Sequence, residues 1–244
     1  MSNTKTIFEM GIREYARTPV LLALLVFLPT YFILVFQQVM PNTPSSVDIP
    51  IQGMMELEMA TVTIILMTPM AVAFISGAAG LFLMQAAREV DGRLVIVGAT
   101  ISEILLARVS VLTVAAVVGS FVSVGILSIL YTLENIGWYL IATLLTGLMY
   151  GGIGACTGLF LNRLAGIYVL MFGPLLDLFL AQNPLAEESH AIAPYLPGHY
   201  PVKLAFDAAV TAHVDLSNLW PAIGYLLIIG FFVGSAFYRM LRLR

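Results

Sequence analysis

The chain has 244 residues, of which 60% are hydrophobic and only 10% charged, against about 25% charged in an ordinary soluble domain. A soluble fold with a mean hydropathy of +0.96 would present large apolar patches to water, and the same apolar content excludes disorder. The lone Cys156 excludes a disulfide scaffold and paired-cysteine zinc sites, and a net charge of −3 leaves no basic surface for nucleic acid, so an integral membrane protein remains.

Residues 4–18 have helical periodicity ahead of the first membrane-length run. Ile7, Phe8, Met10, Ile12 and Tyr15 supply apolar surface, while Lys5, Glu9, Arg13 and Arg17 recur every four residues on the other face. Glu9 and Arg13 are spaced for an i,i+4 pair. Such a helix lies in the membrane interface, with Ile7, Phe8, Arg13 and Arg17 as its defining residues; the alternative is a solvated leader that only carries a topology signal.

A helix needs about 20 mostly apolar residues to cross the hydrocarbon core. Six stretches qualify: Pro19–Met40, Thr61–Met84, Ile104–Leu130, Trp138–Leu161, Leu164–Ala181 and Leu219–Tyr238. The first reads as a retained anchor rather than a signal peptide, being longer than a usual signal core and lacking a cleavage site. Between the first two spans, Pro41, Pro44 and Pro50 predict an irregular segment, and Gln52–Met59 is expected to be a short amphipathic helix.

After the second span, Gln85–Arg108 forms a long connection. Asp91-Gly92 signals a turn, a short helix is expected alongside with Gly92-Arg93-Leu94 at its edge, and Thr100-Ile-Ser-Glu103 fits a capping box that starts the third span. In the fourth span Gly147, Gly151, Gly154 and Gly158 share one face. Such a stripe allows close helix approach, either inside one bundle or at a subunit interface.

Asp177 follows Pro174 in the fifth span, roughly 20 Å along it at 1.5 Å per residue. An ionisable group at that depth points to a transport pathway; the alternative is a helix that breaks near Pro174 and leaves Asp177 hydrated. Residues 183–218 are too long for a simple connection. Pro184, Pro194, Pro197 and Pro201 interrupt them, yet Pro201–Thr211 has helical, amphipathic character, so the segment is expected to fold as an outer cap. No internal repeat is visible, which disfavours inverted-repeat carriers.

Every Lys and Arg except Lys203 falls on one side of these spans, including Lys5, Arg13, Arg17, Arg88, Arg93, Arg108, Arg163, Arg239, Arg242 and Arg244. The positive-inside rule puts that side, and both termini, in the cytoplasm. The preference for Arg over Lys and the acidic outer segments suggest a prokaryotic cell membrane.

Several chemistries are missing. No phosphate-binding loop, no H-E-x-x-H motif and no histidine within a span occurs, so the chain is expected to carry no catalytic residue and no metal of its own. His190, His199 and His213 all fall in the cap, where surface positions are the simplest expectation and a metal site the alternative.

The arrangement resembles the ABC-2 type permeases, the membrane subunits of ATP-binding-cassette exporters. Arg88-Glu89-Val-Asp91-Gly92-Arg93-Leu94 is similar to the charged stretch of their cytoplasmic coupling helix. Ala99-Thr100-Ile-Ser102 stands where the family often has a Thr-Pro turn, although no proline follows Thr100 here. Phe172-Gly-Pro174-Leu looks like the family's break in span 5, and Ala193-Pro-Tyr-Leu-Pro197 and His199-Tyr-Pro201-Val-Lys-Leu look like its cap. The resemblance covers the whole chain. It implies an all-α, single transmembrane domain over residues 1–244, with an interfacial helix at 4–18, a coupling segment at 85–103 and a re-entrant cap at 183–218. It further implies two copies of a separate ATPase carrying ATP and Mg, a second permease copy as homodimer or heterodimer, and ATPase contacts through Arg88, Glu89, Asp91, Gly92, Arg93 and Leu94. The many Phe, Tyr, Met and Leu residues of the spans suit hydrophobic or amphipathic cargo such as drugs, lipids or peptides. The competing readings are a stand-alone secondary carrier, the substrate-binding membrane subunit of an uptake system, and a non-transporting assembly protein.

Overall fold

In lipid each backbone N–H and C=O must find its partner within the segment, so long apolar runs fold as helices. The computed structural model describes residues 3–16, 19–49, 53–96, 98–185 and 191–242. It contains α1 (Asn3–Ala16), α2 (Pro19–Val39), the strands β1 (Pro44–Ile49) and β2 (Gly53–Glu58), α3 (Met59–Ile96), α4 (Ile101–Leu130), α5 (Ile136–Phe160), α6 (Arg163–Pro174), α7 (His199–Val210) and α8 (Leu219–Arg242). The α6 helix continues as a π-helix, Leu175–Ala181, and single 3-10 turns occupy Ala193–Tyr195 and Leu216–Asn218.

Among the described residues, five segments are long and apolar enough to cross a membrane: Met59–Ala86, Ile101–Leu130, Ile136–Phe160, Arg163–Ala181 and Leu216–Met240. The first expected span corresponds to α2, whose described apolar part, Leu25–Val39, is shorter. The helices are not equivalent. In the most apolar stretch of α3, 89% of residues are buried, against 11% in α8. Thus α3 is the mast of the bundle, and α8 lies on its surface.

A glycine seam joins α3 to α5. A Cβ on Gly154 would sit 2.7 Å from the Gly77 carbonyl carbon, one on Gly158 2.7 Å from the Leu81 carbonyl oxygen, and one on Gly80 2.8 Å from the Ala155 nitrogen. Backbone therefore lies on backbone along this seam, as small residues permit in lipid. Gly147 faces Val72 and Ser76 of α3, while Gly151 faces Leu112 of α4. The whole stripe thus packs inside this chain.

Pro69 interrupts the hydrogen-bond ladder of α3, because proline has no N–H to offer the carbonyl four residues back. That carbonyl, on Ile65, accepts instead from the hydroxyl of the fully buried Tyr139 on α5, at 2.7 Å.

At the end bearing α1, that helix lies against the bundle. Ile7 is buried among Met84, Ile104 and Phe237, and Phe8 and Ile12 pack on Leu83, Val111 and Leu112. Gly11 permits this approach, since a Cβ there would lie 2.9 Å from Val111 Cγ2. Arg13 is exposed, and Arg17 lies outside the described residues. The capping box forms as expected: Thr100 N donates to Glu103 Oε2 at 2.9 Å and Glu103 N to Thr100 Oγ1 at 3.3 Å. Asn162 caps α6 by accepting from Ala165 N at 2.8 Å, and Arg163 stacks 4.9 Å over the ring of Phe82 on α3.

Two expectations are corrected. β1 and β2 pair as an antiparallel hairpin, where an irregular segment and a helix were expected, so the chain is not purely helical; Pro50 and Gln52 lie outside the described residues. Val47 pairs with Met55 and Ser45 with Leu57, and Val47, Met55 and Leu57 join the core while Met54, Glu56 and Glu58 are exposed. This period-two burial overrides a helical reading. Second, no turn interrupts Asp91-Gly92. The α3 backbone runs on to Ile96 as one helix, and Gly98, at φ 99°, lies in the left-handed region that ends helices. A glycine inside a helix costs only about 1 kcal/mol, which the continuing hydrogen-bond ladder absorbs.

Candidate functional site: a buried polar clamp

At the hairpin end, the π-helix after Pro174 widens the turn and Gln182 N donates to Asp177 O, five residues back, at 3.0 Å. This geometry aims Asp177 inward. Its carboxylate is buried, 4% exposed, and not hydrated as one sequence expectation had it. Asp177 Oδ2 accepts from the Tyr150 hydroxyl of α5 at 2.5 Å and from Gly198 N at 2.8 Å, and Oδ1 accepts from Gln182 Nε2 at 3.1 Å. Gly198 is the residue from which α7 starts, so the carboxylate also lies at the positive end of that helix. Only glycine fits there, because a Cβ would meet Leu178 and lie 2.8 Å from Asp177 Oδ2.

Gln182 extends the network. Its Nε2 donates both to Asp177 and to Ala193 O, at 3.0 Å, so its Oε1 must accept from His199 Nδ1–H, at 2.8 Å. This bond places a proton on Nδ1 of the imidazole. Burial pushes its pKa down to about 4, with a smaller push from Lys203 one turn along. The expectation of a surface histidine is therefore corrected for His199, which packs edge-on against Tyr200 inside the bundle. His213 is exposed, and His190 lies outside the described residues.

The far end of α7 is latched as well. Asn135 Nδ2 donates to Thr211 O at 2.6 Å and Ala212 O at 3.1 Å, and the backbone N–H groups of Glu134 and Asn135 donate to Ala209 O and Ala208 O. Buried Asp207 accepts from Thr211 Oγ1, at 3.1 Å, and from Asp215 N. Asp215, partly exposed, is held below the usual carboxylate range by the hydroxyl and backbone N–H of Ser217.

Among the described side chains, Asp177 is thus the singled-out acid that organises a site. Its partners Tyr150, Gln182 and Gly198, and the link from Gln182 to His199, were not foreseen. Arg88, Glu89, Asp91, Gly92, Arg93 and Leu94 fall within the backbone of α3, and their side chains lie outside the described part of the structure. They do not join the clamp, which forms around Tyr150, level with Gly77 near the middle of α3. Among the described residues no three His, Cys, Asp or Glu side chains converge on a metal-sized site. No family model matches this chain, and no curated protein is significantly similar to it.

Proposed function

We propose that this chain is the membrane subunit of an ATP-driven exporter of hydrophobic or amphipathic compounds, energised by a separate pair of ATPases that carry ATP and Mg. On this reading it spans a prokaryotic cell membrane six times, with α2 as the first span and both termini in the cytoplasm. It pairs with a second permease copy, and the segment between α6 and α8 is its re-entrant outer cap.

The observation that carries the reading is α3. Its apolar part ends near Ala86, but the helix continues unbroken through the charged residues 88–93 to Ile96. At 1.5 Å per residue its 38 residues measure about 57 Å, well beyond the ~30 Å hydrocarbon core. A rod buried at the centre of the bundle and longer than the hydrocarbon core is thick would serve as a lever for an external motor. The chain contains no phosphate-binding loop, so the motor is a partner. ATPase closure would push on residues 88–96 and on α1, and α3 would carry the displacement through the glycine seam into α5.

The first test is a mild-detergent pull-down of the chain from its native membranes, with mass spectrometry of what accompanies it. A stoichiometric ATPase bearing a phosphate-binding loop is expected, and its absence from intact, folded material would overturn the reading. The second test reverses the charges of Glu89 and Arg93 together. ATP hydrolysis is expected to lose its coupling to cargo, and normal cargo-stimulated turnover would refute the docking role. The buried Asp177–Tyr150–Gln182–His199 network favours a second reading, a stand-alone carrier with an ionisable group in its path. In that case Asp177→Asn abolishes transport without any ATPase being found.

A further inference from the structure

A cavity of about 290 Å³ opens between α3, α4, α5 and α8, in the half of the bundle nearer α1. Its volume is at the lower end of the range for small-molecule sites. Leu83, Met84, Leu112, Leu148, Ile229 and Val233 supply apolar walls, and Arg108 of α4, only 4% exposed, is the charged group among them. The wall hydroxyl of Thr113 is turned back to Val109 O at 2.9 Å, so it offers a polar ligand little. A shallower depression of about 400 Å³ shares Gly234 with the cavity and runs along α8 past Ser235 and Tyr238 to Arg239. The two adjoin at Gly234 and make a track with an apolar, more sheltered part beside Arg108 and an open part that ends at Arg239.

Such a track selects its occupant by chemistry. The enclosed part admits a slender apolar chain. Guanidinium groups present N–H donors in a fork that matches carboxylate or phosphate oxygens, and burial strengthens that attraction. Exposed Lys5 and Arg13 of α1 add positive charge at the same end. We propose that the track binds an anionic amphiphile, its acyl chain in the cavity and its carboxylate or phosphate held by Arg108, with Arg239 along its approach. The site needs no ATPase and shares no lining residue with the Asp177 clamp, so it stands or falls separately from the transport reading.

The test uses the full chain in neutral detergent. Binding of labelled palmitate is measured in one arm. In the other, retention of phosphatidylglycerol is compared with that of phosphatidylcholine from mixed vesicles. Saturable binding of either anionic probe, with phosphatidylcholine held only as loose annular lipid, is expected, and competition between the two arms tells carboxylate from phosphate as the preferred headgroup. A Cβ at Gly230, in the cavity wall, meets nothing within 4 Å. Gly230→Phe should therefore fill the cavity, keep the fold and abolish saturable binding. Arg108→Gln should weaken it roughly tenfold, the scale of one lost hydrogen bond to a charged group, and Arg239→Gln, at an exposed position, covers the case in which Arg108→Gln does not fold. Saturation without preference for anionic probes, no saturation at all, or unchanged binding in a folded Gly230→Phe protein would each overturn the assignment.

Discussion

The pairing of Tyr139 with Pro69 permits a sharp experiment on what holds the bundle together. Pro69 deprives Ile65 O of its helical donor, and the Tyr139 hydroxyl replaces that donor from another helix at 2.7 Å. Tyr139→Phe removes the hydroxyl and leaves a buried carbonyl without its donor, which costs about 1–3 kcal/mol. Hydrogen bonds between membrane helices average about 0.6 and reach about 1.7 kcal/mol, and this one should lie near the top because the acceptor has no donor within its own helix. Pro69→Ala restores that donor. In the Pro69→Ala background, Tyr139→Phe should therefore cost far less, giving a coupling energy of about 1–2 kcal/mol between the two positions. The assay is a double-mutant cycle by SDS titration of bicelle-reconstituted protein, followed by circular dichroism. The cycle cancels whatever Pro69→Ala does to the shape of α3. If Tyr139→Phe costs the same in both backgrounds to within about 0.5 kcal/mol, the hydroxyl is not substituting for the missing N–H and the reasoning fails.

Three further outcomes follow from the same geometry. Gly154→Ala should force α3 and α5 apart and destabilise by about 1–3 kcal/mol or more, whereas Gly125→Ala, where a Cβ meets nothing, should be neutral or stabilising by up to about 1 kcal/mol; equal melting temperatures for the two variants would contradict the seam. Asp177→Asn turns an amide N–H toward groups that are already donors, so hydrogen exchange across His199–Val210 should rise at least roughly tenfold, and unchanged protection would show that the clamp does not hold α7. His199 titrates near 6.5 when unfolded but near 4 in the fold. The unfolded chain therefore binds the extra proton between those values, and stability should fall by at most about 3 kcal/mol from pH 6.5 to 4 and stay flat above; a His199→Gln protein showing the same slope would assign the effect elsewhere.

Hydropathy made the long helices legible. The expected spans 61–84, 104–130, 138–161 and 164–181 meet the observed helices to within a few residues, because a run of apolar residues in lipid leaves the backbone no other choice. Thr100 and Glu103 announced a helix start for an equally local reason. What stayed hidden depends on distant partners. The alternation of Val47, Met55 and Leu57 was present in the chain, but prolines drew the reading toward irregular structure, and only packing against the core gives that alternation a face. Gly92 looked like a turn because the propensity of a glycine is visible and the stability of the helix around it is not. Asp177 was legible as a deep acid. Its burial depends on Tyr150, on another helix, and on Gly198, 21 residues further along the chain, and neither is adjacent in sequence. His199 was expected at the surface, yet it and Asp207 are buried, each with hydrogen-bonding partners supplied by residues outside the helix.

These contacts also rank the motions open to the bundle. Between α3 and α5 the contact is backbone on backbone, so sliding one past the other would drive Gly77, Gly80, Gly154 and Gly158 into carbonyl groups. The pair therefore moves as one body. α7 is fastened to that body at both ends, by Asp177 and Tyr150 at its start and by Asn135 at its finish. In contrast, α8 meets α5 through side chains, with Ile229 over Gly152, and side chains can change rotamer where backbones cannot yield. A displacement applied at Ile96 would accordingly reach α7 at the opposite end with little loss, while α8 lagged behind. The gap that such a lag opens lies between α4, α5 and α8, where the cavity containing Arg108 already exists. An amphiphile seated there would resist closure of that gap, and so would bias the position of α8 relative to the α3–α5 body in proportion to its differential affinity for the two arrangements.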